Sequence, residues 1–262
     1  MSEIALFDSL SHPTLTGKWL GNVEASFDAF VQELHHAGYA RACAVGIADH
    51  DGYQHGAFAE RCKKYPELVP VAGVTPKAVG HIDKELDEIK ELGYRGIKLH
   101  PRYSNFSYTD ERLVDTFQAA ARRSLPVFIC TYFHTSVERY PEVDPLYCIA
   151  KILKASPETR VVFVHGGCVE LMRWMQLARH NPNVLLDISL TMMRYRGSAL
   201  DLDLRFLFSS FHDRTCMGTD YPDFRPAEVR GRFVELSQGA SLDAKRKIGG
   251  LNLARFLGVD LA

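Results

Sequence analysis

The stretch Val161-Val162-Phe163-Val164-His165 shows the pattern that decides the fold, a short and nearly continuous apolar run that ends in a polar residue. A run without regular apolar–polar alternation is typical of a strand in a parallel sheet that helices cover. Seven further runs have the same character, at residues 4–7, 40–47, 69–74, 96–100, 127–131, 184–188 and 215–218. The sequence therefore predicts eight parallel strands.

Amphipathic segments lie between these runs and predict helices. In the first of them, apolar residues recur at spacings of three and four, at Val23, Phe27, Phe30, Val31 and Leu34. Asn22 is the expected N-cap of this helix and Gly38 its stop signal. Similar periodicity returns between the later runs, so strand and helix alternate along the chain.

Eight strand–helix units with right-handed crossovers close most economically into a barrel, because an open eight-stranded sheet leaves two edges to protect. We therefore predict an α/β fold, a (β/α)8 TIM barrel that forms a single domain over residues 1–262 and is closed by a helical segment at residues 241–257. A doubly wound open sheet is the alternative. It is disfavoured because Phe7-Asp8-Ser9-Leu10-Ser11-His12 stands where that fold places a glycine-rich phosphate loop.

Composition and charge exclude several classes of partner. The chain has 262 residues, of which 46% are hydrophobic and 24% charged, so it can bury a large core. Lys plus Arg number 31 and Asp plus Glu 32, which leaves no basic excess for nucleic acid or an anionic membrane surface. No apolar run approaches the roughly 20 residues that span a bilayer. We therefore expect neither nucleic-acid nor membrane partners. The six cysteines are too scattered for a disulfide framework, so we expect a cytoplasmic protein.

Polar residues collect at the carboxyl ends of the predicted strands, where TIM barrels carry their active sites. Imidazole, carboxylate and thiol groups are the ones that bind zinc-like ions or move protons. The candidates at these strand ends are His12, Lys98, His100, Cys130, Tyr132, His134, His165 and Asp220. Arg102 and Arg194 follow the fourth and seventh strands, and guanidinium groups over a cleft suit the recognition of a carboxylate.

Several of these strand-end motifs, in this order, resemble those of the amidohydrolase superfamily. The similarity is to the amidohydrolase-related branch, which includes aminocarboxymuconate semialdehyde decarboxylase and pyrone dicarboxylate lactonase, and it covers nearly the whole chain. The segments that carry it are residues 8–12, Gly96-Ile97-Lys98-Leu99-His100-Pro101, residues 125–127, Val164-His165-Gly166-Gly167, Gly218-Thr219-Asp220-Tyr221-Pro222 and residues 252–258.

The resemblance implies a site for one divalent metal, with zinc as the expected ion. Members of the family hold it with a His-x-His pair from strand one, a His from strand five and an Asp from strand eight, and a His from strand six assists. In this sequence the pair falls on Leu10 and His12, and the strand-five position is Cys130. The ligand candidates are therefore His12, Cys130, His165 and Asp220. Since a catalytic zinc needs three protein ligands and an open position, metal binding and its absence both remain open.

The resemblance further implies a hydrolase that attacks a C–O or C–N bond in a small carboxylated substrate, with decarboxylation as a related activity. Asp220 would be the general base, His165 would stabilise the developing charge, and Lys98, His100, Arg102, Tyr132, His134 and Arg194 would bind the substrate. One alternative is a metal-independent, lactonase-like hydrolase. Another is a barrel that binds a small ligand without turnover, which Leu10 and Cys130 favour. A homodimer is the default expectation for such an enzyme.

Overall fold

The computed structural model describes residues 4–133 and 136–261, and eight parallel strands form its main sheet. Each strand pairs with the next in chain order. Their bounds are β1 Leu6–Ser11, β2 Tyr39–Val45, β3 Leu68–Val74, β4 Ile97–Leu99, β5 Val127–Cys130, β6 Val161–Val164, β7 Val184–Asp187 and β8 Thr215–Cys216. The prediction of an eight-stranded TIM barrel is confirmed.

The barrel closes where the chain after β8 returns to β1. The backbone N–H of Ser9 donates to the carbonyl of Met217 at 3.0 Å, and the N–H of Asp220 donates to the carbonyl of Leu10 at 2.8 Å. A Cβ atom at Gly218 would lie 2.5 Å from the Ser9 hydroxyl oxygen and 2.8 Å from the Leu10 nitrogen, so glycine permits this approach. The closure places residues 8–12 directly beside residues 217–221.

Helices cover the outside of the barrel, as the amphipathic segments predict. Their bounds are α1 Phe27–Ala37, α2 His55–Cys62, α3 His81–Glu91, α4 Arg112–Arg122, α5 Pro145–Ala155, α6 Leu171–Arg179, α7 Thr191–Arg194, α8 Leu200–Ser210, α9 Pro226–Leu236, α10 Leu242–Arg246 and α11 Asn252–Leu257. Short 3-10 turns lie at Val137–Arg139, His165–Glu170 and His212–Arg214, and a π-helical turn at Lys247–Leu251 joins α10 to α11. Within residues 4–133 and 136–261, no helix is long and apolar enough to cross a bilayer.

Two apolar layers explain why the strand sequences do not alternate in polarity. Along β6, Val161 and Phe163 belong to the layer beneath the helices, whereas Val162 and Val164 belong to the cluster inside the barrel. Successive residues of a strand point to opposite faces, so a strand that is buried on both faces is apolar throughout. The interior cluster also contains Leu10, and it reaches Leu253, Ala254 and Leu257 of α11.

The structure corrects the predictions for the first strand and the first helix. Strand β1 runs from Leu6 to Ser11 rather than over residues 4–7, because its polar residues are hydrogen-bonded inside the barrel. Helix α1 begins at Phe27, with Ser26 as its N-cap, rather than behind Asn22. Residues 18–24 instead hold a short antiparallel pair, Lys18–Trp19 with Val23–Glu24. The predicted stop at Gly38 is confirmed, since this residue ends α1 with a φ of 70°.

Candidate active site

A cavity of about 170 Å³ opens at the carboxyl ends of the strands. The sequence predicts seven of its lining residues, namely His12, His100, Arg102, Tyr132, His165, Arg194 and Asp220. Four lining residues are not predicted: Trp19, Tyr103, Leu190 and Asp223. Residues from six different strand–helix loops therefore meet at one point, which is the arrangement of TIM-barrel active sites.

His12 presents an unprotonated nitrogen to this cavity. Its Nδ1 lies 2.8 Å from the carbonyl oxygen of Val45, and since a carbonyl can only accept, Nδ1 carries the hydrogen and Nε2 the lone pair. Nε2 faces Oδ1 of Asp220 at 3.8 Å. The ring stacks on Trp19, with 5.0 Å between the centroids and 9° between the planes. Burial lowers the pKa of His12 to about 3, and nearby Lys98 acts in the same direction, so the imidazole is neutral.

Asp220 is a buried carboxylate held by a strained backbone. Its φ of 56° is in the left-handed region, which non-glycine residues rarely adopt outside turns and functional sites. Burial raises its pKa to about 8, with a contribution from the charge of Asp223, whereas Lys98 opposes the increase. A carboxylate with a raised pKa is a stronger base than an exposed one, so Asp220 suits proton abstraction near neutral pH.

His165 is held by a buried network at the end of β6 and β7. Its backbone N–H donates to Oδ2 of Asp187 at 3.0 Å. The hydroxyl of Ser189 donates to Asp187, so it can only accept from His165 Nδ1, which lies 3.1 Å away. Ser9 completes the network by donating to the other oxygen of Asp187 at 2.6 Å. Nε2 of His165 therefore carries a lone pair, and burial together with the charge of Lys98 holds the pKa of this imidazole well below its usual range.

His100 has the opposite tautomer. Its Nδ1 accepts the backbone N–H of Tyr103 at 3.2 Å, so the hydrogen is on Nε2. Its ring stacks on that of Tyr103, with 4.3 Å between centroids. Burial holds the pKa of His100 well below its usual range, with the charge of Lys98 as the next cause. The site therefore contains one neutral N–H donor and two neutral acceptors among its three imidazoles.

Lys98 lies in the layer beneath the cavity rather than in its wall. It pairs in register with Phe128, a member of the interior cluster, so both side chains point into the barrel. The residue is 1% exposed, and its Nζ has no hydrogen-bond partner within the described ranges. Burial lowers the pKa of Lys98, and attraction to Cys130, Asp220 and other acidic groups limits the decrease.

Two guanidinium groups supply the positive side of the cavity. The guanidinium carbon of Arg102 lies 4.4 Å from the ring centroid of Tyr132 and 5.4 Å from that of Tyr103. Its buried Nε has no hydrogen-bond partner among residues 4–133 and 136–261. Arg194 ends α7 and lines the same cavity. Burial raises the pKa of Asp223, and the charges of Arg194 and Arg102 oppose this increase, which places both cations near that carboxylate.

A protein-family model described as Amidohydrolase matches residues 20–259. The chain belongs to the amidohydrolase family. This membership confirms the resemblance and the prediction of an amidohydrolase-related enzyme.

Solved structures with the same fold show which architecture this amidohydrolase shares. An uncharacterised TIM-barrel protein from Bordetella bronchiseptica is 23% identical, with a TM-score of 0.77 and coverage of 97% of this chain and 99% of the other. A probable 2-pyrone-4,6-dicarboxylic acid hydrolase from Acinetobacter baumannii with citric acid bound is 15% identical, with a TM-score of 0.73 and coverage of 97% and 100%. A 5-carboxyvanillate decarboxylase from Novosphingobium aromaticivorans, complexed with manganese and a nitrobenzoic acid, is 14% identical, with a TM-score of 0.70 and coverage of 98% and 96%.

The donor set of this amidohydrolase does not fit a metal ion. Among the described residues, no group of three or more His, Cys, Asp or Glu side chains is placed to hold one, and that includes His12, Cys130, His165 and Asp220. Leu10, at the position of an expected ligand, is fully buried in the apolar interior cluster. Cys130 is also fully buried, and its Sγ lies 4.0 Å from the carbonyl oxygen of Tyr132. The buried amine of Lys98 adds a cationic group near the carboxylate of Asp220, where a metal ion would also have to bind.

One candidate and three of the four unpredicted lining residues remain to be placed. His134 lies outside the described residues. Tyr103 directly follows the predicted residue Arg102. Asp223 lies three residues after Asp220, and its N–H donates to the carbonyl of Asp220 at 2.9 Å. A turn predicted after the last strand would therefore have placed Asp223 beside Asp220. No sequence signal indicated Trp19, because it precedes the predicted first helix and reaches His12 from a strand of only two residues.

Proposed function

We propose that this amidohydrolase is a metal-independent hydrolase that opens an ester or lactone bond in a small carboxylated substrate, with Asp220 as its general base. The observation that carries the proposal is the position of buried Asp220, 3.8 Å from the unprotonated Nε2 of His12 and in the same cavity as two arginines. Asp220 and His12 can act on water, while the arginines can hold a carboxylate.

Substrate size follows from the cavity. An apolar cavity of about 150 Å³ admits benzene. The volume of about 170 Å³ therefore accommodates one substituted six-membered ring. Arg102 and Arg194 offer paired N–H groups to a carboxylate on that ring, which supports an anionic rather than a neutral substrate. Tyr132, under the Arg102 guanidinium, would form part of the same binding wall.

The chemical step uses the tautomers of the three imidazoles. The Nε2 lone pair of His12 or of His165 accepts one hydrogen of a water molecule and so orients it, and ionised Asp220 accepts the other hydrogen as a proton. The resulting hydroxide attacks the substrate carbonyl carbon and forms a C–O bond. The Nε2–H of His100 and the neighbouring cations stabilise the oxyanion.

Collapse of this intermediate breaks the original C–O bond of the ester or lactone. Protonated Asp220 then donates its proton to the departing alkoxide, so one water molecule is consumed and a hydroxyl and a carboxyl group are produced. Lys98 contributes from beneath the cavity. Its positive charge lowers the pKa of Asp220, against the increase that burial causes, and so increases the ionised fraction of the base.

A divalent-metal hydrolase or decarboxylase is the second candidate. It is supported by His12 and His165, whose Nε2 lone pairs are the form in which imidazole binds zinc or manganese, and by the manganese present in the decarboxylase structure with this fold. It is opposed by the donor set, in which Leu10 replaces one imidazole.

The two candidates are separated by assaying carboxylated lactones and aryl esters with protein purified without added metal. Under the first proposal, turnover persists after treatment with a chelator, and elemental analysis finds no stoichiometric zinc, manganese or iron. Loss of turnover on chelation, with recovery on addition of zinc or manganese, would replace the proposal by the second candidate. Tight binding of carboxylated lactones without turnover in either condition would identify a non-catalytic binding barrel.

A further inference from the structure

A second groove, with a volume of about 500 Å³, adjoins the active-site cavity. It lies between the loop that follows β4 and the loop that follows β5, and the two spaces share Arg102 and Tyr103 as lining residues. Ligand pockets in proteins commonly have about 300–1,000 Å³, so the groove is large enough to hold part of a substrate, whereas the inner cavity is smaller than that range. We call it the outer groove.

Aromatic and apolar side chains line much of the outer groove. Phe106, Tyr108 and Phe133 all line it, and the last two are almost fully buried. The hydroxyl of Tyr108 donates to the carbonyl of Cys130 at 2.7 Å, which fixes its ring against β5. Phe133 meets half-exposed Tyr140 edge to face, with 6.3 Å between the centroids and 76° between the planes. Such walls favour a flat or aromatic group over a hydrated polar chain.

The charges of the outer groove differ at its two ends. Arg102, which also lines the inner cavity, stands at the inner end, close to the rings of Tyr103 and Tyr132. No carboxylate within the described ranges forms an ion pair with it. Glu138 and Glu142 line the outer groove but not the inner cavity, and both are exposed, so we take their side of the groove as its outer end. A hydrogen bond with Ser136 holds the pKa of Glu138 below its ordinary value, so this carboxylate is ionised at neutral pH.

We propose that the substrate is an elongated monocarboxylate whose acidic end binds at Arg102 and whose distal part, aromatic and either neutral or cationic, lies in the outer groove. The inference rests on the proposed function, because it assumes that the inner cavity binds a carboxylate. Continuity through Arg102 and Tyr103 joins the two halves of the site. Repulsion from Glu138 and Glu142 excludes a second carboxylate at the distal end, and so disfavours a long dicarboxylate.

Calorimetric binding of four acids to the intact protein tests this proposal. The probes are benzoate, biphenyl-4-carboxylate, biphenyl-4,4′-dicarboxylate and 4′-aminomethylbiphenyl-4-carboxylate. We expect biphenyl-4-carboxylate to bind about tenfold or more tightly than benzoate, because its second ring is buried on the aromatic lining. The dicarboxylate should bind about fivefold or more weakly than the monocarboxylate, and the aminomethyl acid at least as tightly as the monocarboxylate.

A charge variant tests the outer end separately. In the double variant Glu138→Gln, Glu142→Gln, the dicarboxylate should bind as tightly as the monocarboxylate. The control variant Glu91→Gln, at the exposed end of α3, should still bind the dicarboxylate more weakly. If the double variant still binds the dicarboxylate more weakly than the monocarboxylate by the same factor, the role of these two carboxylates is overturned, and with it the monocarboxylate assignment.

The outcomes distinguish the inference from the proposed function. Benzoate binding with no gain for the biphenyl acid overturns the inference and leaves the proposed hydrolase intact. A gain for the biphenyl acid, combined with no turnover of any lactone or ester, overturns the proposed hydrolase and retains the binding assignment. Failure of all four acids to bind overturns the inference, and it overturns the proposed hydrolase as well if no lactone or ester is turned over.

Discussion

Nε2 of His12 lies 3.8 Å from Oδ1 of Asp220, and the two residues come from opposite ends of the chain. The His12 Nδ1–H donates to the Val45 carbonyl, so the lone pair on Nε2 is the part of the ring that faces the carboxylate. A neutral acceptor and a buried acid of raised pKa thus share one side of the cavity. A water molecule that contacts both groups would find an acceptor for each of its hydrogens when Asp220 is ionised.

Replacement of Asp220 by Asn should remove hydrolysis without unfolding the barrel. The amide keeps the shape of the side chain but cannot accept a proton, and general-base catalysis contributes about 10²–10⁴-fold. We therefore expect kcat on the best lactone or ester to fall by at least about 100-fold. Asp213→Asn is the matched control, since that carboxylate is exposed and forms surface ion pairs with Lys247. Retention of activity by the Asp220 variant would refute its assignment as the base.

The rate should increase with pH through about pH 8. Burial raises the pKa of Asp220 to about 8, so the carboxylate is mostly protonated at pH 7 and gains its basic form above that value. A profile of kcat/KM against pH, measured with a substrate that does not ionise between pH 6 and 10, should show one ascending limb with a midpoint near pH 8. A rate that is independent of pH between 6 and 9 would contradict this prediction.

Replacement of Lys98 by Met should have opposite effects on stability and activity. The Lys98 side chain is buried and its Nζ lacks a hydrogen-bond partner in the described part of the chain, so an apolar side chain of similar length removes a desolvated polar group. We expect the melting temperature to increase by about 3 °C. Because Lys98 lowers the pKa of Asp220, its loss should also move the ascending limb of the rate profile to higher pH.

The two readouts for the Lys98 variant have separate meanings. Lys98→Arg is the control for charge, since it retains the cation. An unchanged midpoint in the methionine variant would show that Lys98 does not act on Asp220. A lower melting temperature would show that the buried amine has a stabilising partner.

Trp19 should report ligand binding through its fluorescence. The chain has two tryptophans, and Trp174 is fully buried against Phe163, whereas Trp19 lines the cavity and stacks on His12. Addition of a bound acid should change the emission of the wild-type protein and of Trp174→Phe, but not that of Trp19→Phe. The dissociation constant from this titration should equal the calorimetric one. A persistent signal in Trp19→Phe would place the binding site elsewhere.

The positions of the strands could be read from local composition, but their exact contacts could not. β6 was predictable because both of its faces are buried, which requires an unbroken apolar run. β1 was placed too early because Asp8 and Ser9 look like loop residues. In the structure the Asp8 carboxylate accepts the Thr219 N–H at 2.7 Å and its hydroxyl at 2.6 Å, and such partners 211 positions away have no local signature.

The candidate site shows the same limit. His12, His165 and Asp220 could be proposed because each follows a predicted strand and parallel strands end at one edge. The position of Lys98 beneath the cavity could not be predicted. The alternation of side chains along a strand indicates only that Lys98 points into the barrel, and not that it lies below the wall to which His100 belongs. Trp19 was not predicted because the two-residue strand that carries it is too short to have a recognisable sequence pattern.

By itself, the order of buried strands and amphipathic helices determined that the chain forms a TIM barrel with its reactive groups at one rim, since burial and periodicity are local properties of the sequence. Only the tertiary structure decided how those groups are protonated and which of them cooperate. Pairing of neighbouring strands brings the Val45 carbonyl to His12 and the Ser189 hydroxyl to His165. Closure of the barrel brings Asp220 to His12, and folding buries it near Lys98. Hydrogen-bond direction and desolvation depend on neighbours that are distant in sequence, so they exist only after folding.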